Sequence, residues 1–293
     1  MSLEWQVAGA NDWMDFLEDF KADTEFLKLL GRRDDTVDLT TAALELARDA
    51  YPGLAFEPVF QWIAERAREL SGPVTRAASD EALLAELAAC LAGRHHISGS
   101  LDSFEHADAS FLNRVIERKT GLPISLSVLY MAVAERVGVA LRGVAAPGHF
   151  LTCYETIDAP LFIDPFNDGK VRTLEEAVAW LEETQEVAPE KAGGVLEPVG
   201  PRLIIIRMLN NLKTLYARQG QWRACWPVQH RLLALQPAVY GERRDWAVIS
   251  LKAGRTGPAI EMLERCLATC PAEEREFLEQ QRRDAERELA QWN

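Results

Sequence analysis

Basic residues are in short supply in this chain. Against 45 Asp and Glu stand 32 Lys and Arg, a formal net charge of −13 with a pI near 5.0. Such a balance argues against nonspecific nucleic-acid binding, which needs basic patches to neutralise phosphates. Long hydrophobic runs are missing too. No stretch of about 18 apolar residues occurs and no basic-then-apolar leader is visible, so neither a membrane span nor a secretion signal is expected. Cysteine is sparse: five scattered residues, an odd number without framework spacing, which suits free thiols and predicts a cytoplasmic protein. A length of 293 residues allows about two domains and a substantial core.

What is present is most informative between Arg114 and Asp168. Leu126, Leu129, Tyr130, Val133, Ala134 and Val137 recur at helical spacing, and Val128, Met131 and Ala132 fill much of the opposite face. A helix apolar nearly all round belongs inside a domain. Gly121 and Pro123 mark its start, since proline suits the first helical position, where its missing N–H costs nothing. Gly138 marks its end as a left-handed cap. A strand carrying His149 and a second strand ending near Asp164 follow. That is the order in which papain-like and transglutaminase-like enzymes assemble Cys, His and Asp. The nucleophile of such enzymes sits at a helix N-terminus, where the dipole and free N–H groups favour a thiolate. Here that position is Pro123.

The segment therefore resembles the transglutaminase-like superfamily, with Gly121, Pro123, Gly138, His149 and Asp164 falling in register with its Gly, Cys, helix-ending Gly, His and Asp. More closely, RKTGLPISLSVLY, GVAAPGHFL and IDPFNDG are similar to the SirB-type invasion-regulator family, a branch in which proline commonly replaces the cysteine. The resemblance covers roughly residues 105–185. It implies a fold more than an activity, because function lives in the site and not in the scaffold.

No other residue fills the nucleophile position. Ser125 lies about 200° around the helix from Pro123, and Ser127 about 6 Å deeper. Both read as packing or backbone-bonding hydroxyls. Cys153 shares a strand face with His149 but lies about 13 Å along it. His149 and Asp164 form a candidate pair. Strands over Phe150–Tyr154 and Pro160–Ile163, joined by a turn at Thr156–Ala159, would set the two opposite each other with Cβ atoms about 5 Å apart. The pair is either a retained catalytic dyad or a vestigial buried hydrogen bond holding two strand ends.

Two metal patterns are weak. Asp164, Asp168, Gly169, Val171 and Glu175 mimic part of a calcium loop, but Phe166 occupies a ligand position and Asn167-Asp168-Gly169 reads as a turn. A helix is then expected from Thr173, with Glu176 completing a capping box. Cys90, His95, His96 and His106 invite a zinc site that no ligand spacing supports, and Cys266 with Cys270 supplies only two ligands. No metal or cofactor is expected.

A repeat follows. Gly220 to Gly254 and Pro237 to Pro271 are each 34 residues apart, the tetratricopeptide period. Leu212, Tyr216, Trp222 and Trp246 occupy large-residue positions, Cys225 and Cys266 small ones, and Glu273–Trp292 reads as a capping helix. Residues 1–104 show helical periodicity over Asp12–Leu30, Leu39–Ala50, Pro58–Leu70 and Asp80–Leu91, with turns at Gly31, Pro52-Gly53 and Gly72-Pro73.

The expected architecture is α+β and mostly helical. It comprises a helical region (1–104), a transglutaminase-like core of helix plus antiparallel sheet (105–187), a linker (188–201) and tetratricopeptide-like hairpins (202–293). The leading functional expectation is a noncatalytic regulatory or scaffolding protein that binds an unknown protein or peptide. The alternative is a hydrolase or acyltransferase using His149, oriented by Asp164, without a cysteine.

Overall fold

A computed structural model describes residues 16–185 and 194–292. The chain divides into two compact units. Arg33–Met208 forms one; Met1–Arg32, which carries α1 (Thr24–Leu30), and Leu209–Asn293 form the other. This grouping differs from a linear division of the sequence. Helices between Arg33 and Met208 group with the sheet, whereas Thr24–Leu30 packs against the helical repeats. The expected linker, 188–201, lies partly outside the described residues.

In the unit Arg33–Met208 the helices α2 (Leu39–Ala47), α3 (Glu57–Arg76), α4 (Asp80–Ala88), α5 (Leu112–Arg118) and α6 (Pro123–Arg136) precede most of the sheet. The expected turn at Gly72-Pro73 is absent: α3 runs through it to Arg76. Pro73 falls in the last turn of a long helix whose Val59, Ile63, Ala67 and Leu70 are buried at regular spacing, and that burial outweighs one lost backbone bond. β2 (Thr120–Gly121), between α5 and α6, pairs in parallel with β1 (Ser98–Gly99), which precedes α5.

α6 is the core element. Leu126, Leu129, Tyr130, Val133 and Ala134 are all fully buried, and it packs on α2, α3, α5 and the sheet. Gly138, at φ +78°, ends it: Val139 N–H donates to Ala134 O at 2.9 Å and Gly138 N–H to Glu135 O at 3.0 Å. These are the two bonds of a Schellman cap. The sheet is antiparallel in the order β3 (Leu141–Val144), β4 (Leu151–Tyr154), β5 (Leu161–Asp164), β6 (Lys170–Arg172). Thr156 organises the β4–β5 turn, its Oγ1 accepting from Asp158 and Ala159 N–H at 3.2 Å and donating to Ala159 O at 2.7 Å. α7 (Leu174–Gln185) begins with the expected capping box: Glu176 N–H donates to Thr173 Oγ1 at 3.2 Å and Thr173 N–H to Glu176 Oε2 at 2.9 Å.

The division falls inside α8 (Pro201–Arg218), after Met208. The repeats continue as α9 (Trp222–Leu235), α10 (Tyr240–Lys252), α11 (Thr256–Leu267) and α12 (Ala272–Trp292), each packing on the next. The 34-residue period appears as two identical caps. Gly220 and Gly254 adopt φ +67° and +79°. Gln221 N–H reaches Tyr216 O at 2.9 Å, and Arg255 N–H reaches Ser250 O at 2.8 Å. Tyr216, Trp246, Cys225 and Cys266 are buried as their repeat positions require. Trp222 is only half-buried, with Lys252 Nζ 4.1 Å from its ring centroid. The helix expected over Asp12–Leu30 is interrupted in its described part, with turn at Phe20–Ala22 before α1; its start lies outside the described residues.

Candidate functional site

Pro123 takes the first position of α6, preceded by the extended Leu122, and is buried. Ser125 Oγ lies 2.6 Å from Ala109 O and 3.0 Å from Leu122 O, so its single proton is committed to the backbone. Ser127 is fully buried, and its Oγ has no hydrogen-bond partner among the described residues. Cys153 sits inside β4, paired with Arg142 and Phe162, and burial pushes its thiol up to about 11.

His149 follows Gly148 (φ +62°) at the entry to β4, and Asp164 ends β5. The hairpin register pairs Thr152 with Ile163 and Tyr154 with Leu161. Asp164 therefore stands two residues out of step with His149, not opposite it as the sequence predicts. The side chains meet nonetheless, with His149 Nε2 2.9 Å from Asp164 Oδ1. A buried carboxylate can only accept, so Nε2 carries a ring proton, and in the neutral imidazole the lone pair is on Nδ1. The ring packs edge-on to Phe166 (5.8 Å, 88°) and Trp180 (5.2 Å, 62°), and the side chain retains 10% exposure.

Asp164 is completely buried and fully partnered. Asn167 N–H donates to Oδ1 at 3.3 Å, and Asn167 Nδ2 and Arg172 Nη1 donate to Oδ2 at 2.7 and 3.1 Å. Burial alone would raise its pKa. The His149 hydrogen bond and charge, Asn167 and the Arg172 guanidinium outweigh burial and hold the carboxyl below its ordinary range. Arg172 is itself buried, 5.2 Å over the Trp180 ring.

Sequence reasoning missed Arg172, Trp180 and Arg207. Arg207 Nη2 donates to Ala146 O at 2.5 Å and His149 O at 2.8 Å, clamping the loop that carries the histidine. An arginine 58 residues downstream on an amphipathic helix carries no local signal of that role. Gly99 was likewise unmarked. A Cβ there would lie 2.2 Å from Phe166 Cδ2 and 2.5 Å from Phe166 O. Contact thus runs from Gly121, beside Pro123, through Gly99 to Phe166 and on to His149.

Asp168 (φ +55°) and Gly169 (φ +71°) form the expected turn, and both oxygens of Asp164 are engaged by side chains and backbone of that loop and by Arg172 and His149. Of Cys90, His95, His96 and His106, the first two meet each other and Glu69, while His106 pairs with Asp102 at 3.1 Å. A surface cavity of about 590 Å³, lined in part by Ser79, Asp80, Thr156, Asp158 and Thr173, includes none of Pro123, His149 and Asp164.

Comparison with known proteins decides the family. The transglutaminase-like superfamily matches residues 58–210, more than half of the chain. The chain belongs to the transglutaminase-like superfamily. A tetratricopeptide repeat family matches residues 212–291. A UPF0162 protein of Xylella fastidiosa is 33% identical over 257 residues, 82% of this chain and 86% of its own length. Protein SirB1 of Salmonella typhimurium is 23% identical over 201 residues, 68% of this chain and 74% of its own, in keeping with a SirB-type protein. F-box only protein 21 of Mus musculus is 30% identical over 157 residues, 46% of this chain and 24% of its own. No solved structure matches the chain significantly. Within this transglutaminase-like protein no described helix is long and apolar enough to cross a membrane.

Proposed function

We propose that this protein is a noncatalytic regulatory or scaffolding protein. In this reading its transglutaminase-like core carries a vestigial site, and its helical repeats engage another protein or peptide. The observation that carries the reading is the N-terminus of α6. Pro123 stands where an acyl-transfer thiol would be, and the neighbouring hydroxyls are unavailable: Ser125 is bonded to backbone and Ser127 is sealed in the core. Asp164, His149, Asn167 and Arg172 then act as a buried knot that ties the ends of β5 and β6 to the entry of β4. Tetratricopeptide hairpins in the second unit fit a protein-interaction role.

A second reading rests on one feature of His149. Its Nε2 is fixed by Asp164 and its Nδ1 has no hydrogen-bond partner among the described residues, so it could accept a proton from water. The Pro123→Cys variant tests the scaffold, and wild-type turnover tests the reading. On an intact site geometry the new thiol reacts faster with iodoacetamide than a surface cysteine, because a helix N-terminus and an imidazole favour its thiolate. The wild-type chain is expected to turn over no ester, amide or γ-glutamyl substrate. Wild-type turnover that His149→Ala abolishes would establish the hydrolase reading instead.

A further inference from the structure

A π-helical turn, Ala89–Arg94, follows α4 and brings two reactive side chains onto one face. In an α-helix, residues five apart point about 140° away from each other. Here His95 N–H donates to Cys90 O at 3.1 Å, the five-residue bond of a π turn, and His95 lies over Cys90. Glu69, from the second half of α3, completes the group. Its Oε2 lies 2.7 Å from His95 Nε2 and 3.8 Å from Cys90 Sγ, and the three atoms are all within 4.8 Å of one another.

We propose that Glu69 Oε2, Cys90 Sγ and His95 Nε2 form a zinc-binding site whose fourth position is left to water. Carboxylate, thiolate and imidazole are the donor types that Zn²⁺ selects, at bond lengths of about 2.0–2.3 Å. A tetrahedral ion with such bonds holds its ligand atoms roughly 3.3–3.7 Å apart. The sulfur–oxygen separation of 3.8 Å is close to that range, and the nitrogen–oxygen pair at 2.7 Å, now hydrogen-bonded, has to open by less than about 1 Å. The sulfur–nitrogen pair, within 4.8 Å, has to close by no more than about 1.5 Å. Glu69 and His95 side chains are 37% and 26% exposed, which leaves an entry path, while Cys90 forms the buried floor.

The surroundings orient the ligands. Arg66 Nε lies 2.9 Å from Glu69 Oε1, pairing with the oxygen that does not ligate. Its guanidinium stacks 5.1 Å over Trp62, whose ring meets His95 at 6.2 Å and 73°. Trp62, Arg66 and Glu69 follow the i, i+4, i+7 spacing of one face of α3, so the helix presents both a ligand and the groups that steady it. The charge balances: Zn²⁺ takes one carboxylate and one thiolate, and the thiol proton leaves to solvent. The inference stands apart from the proposed role of the His149 pair.

Dialysis of the full chain against Zn²⁺ after chelator treatment tests the site, with Co²⁺ as a spectroscopic substitute. A single zinc should bind per chain with release of about one proton, and the cobalt form should show thiolate-to-metal charge-transfer absorption. Cys90→Ser should abolish that absorption and weaken zinc binding at least about tenfold. His95→Gln should weaken binding comparably while the chain still melts cooperatively, and it carries the test if Cys90→Ser fails to fold. Cys270→Ser should change neither readout. Failure to bind zinc, binding that survives His95→Gln, or a cobalt form without thiolate absorption would overturn the proposal.

Discussion

His149 and Asp164 share a 2.9 Å hydrogen bond although the β4–β5 register sets them two residues out of step. The imidazole spans that offset from a loop held by Arg207, and the carboxylate turns to meet it at the end of β5 while Asn167 and Arg172 hold its far side. A bond made across a register mismatch depends on both anchors.

Asp164→Asn should therefore be costly. It leaves the buried Arg172 guanidinium without its countercharge, a change worth about 3–5 kcal/mol where a buried pair is broken. Urea unfolding at pH 7 measures it. The pH dependence follows from the lowered Asp164 pKa. A carboxyl depressed in the folded state adds stability above its unfolded value, near about 3.9, and loses that contribution as pH falls through the folded value. The wild type should thus lose stability below about pH 4 more steeply than Asp164→Asn. Parallel acid slopes for the two proteins would show that Asp164 is not held as described.

Gly99→Ala should destabilise by about 1–3 kcal/mol through overpacking, because the added methyl meets Phe166 ring and backbone atoms at 2.2–2.5 Å and backbone cannot swing aside. Phe166 also touches His149, so the variant should shift the His149 imidazole resonances in a proton–nitrogen spectrum.

Thiol titration of the native chain should find one fast cysteine. Cys90, Cys153, Cys225 and Cys266 are buried, and burial pushes the last three up to about 11. Cys270 is half-exposed. Ellman's reagent should label Cys270 first and reach all five cysteines only after denaturation. Rapid native labelling of Cys153 would contradict its place inside β4.

A fragment comprising 201–293 should not melt cooperatively. Arg231, nearly fully buried in α9, pairs with Asp23 at 2.7 Å and stacks 4.8 Å from Phe20 and Phe26, and His230 bonds to Asp19 at 2.8 Å. A fragment that starts at 201 strips those partners from a buried cation and bares the face they cover. In the full chain, Asp23→Ala and Arg231→Met should each destabilise, since each removes one member of a buried ion pair. Calorimetry of the fragment and of both variants decides the point.

Local signals were legible because they act within a few residues. The glycine caps at 138, 220 and 254 need a left-handed residue, Thr173 and Glu176 satisfy each other's backbone, and the all-apolar run of α6 has nowhere to go but the core. The 34-residue repeat was readable for the same reason, since each cap is a local event that recurs. The Gly72-Pro73 turn was misread because burial along α3 overrides the local preference of two residues.

What the sequence determined by itself is the order of the buried helix, the His149 strand and the Asp164 strand, the family resemblance and the proline at the start of α6. Only the tertiary structure decided the strand register, the arginines that lock Asp164 and the His149 loop, and the meeting of Glu69, Cys90 and His95. The physical reason is range. Capping and periodicity are settled over one or two turns of chain, whereas register and side-chain convergence depend on packing between segments 8 to 58 residues apart, whose lateral placement no local pattern encodes.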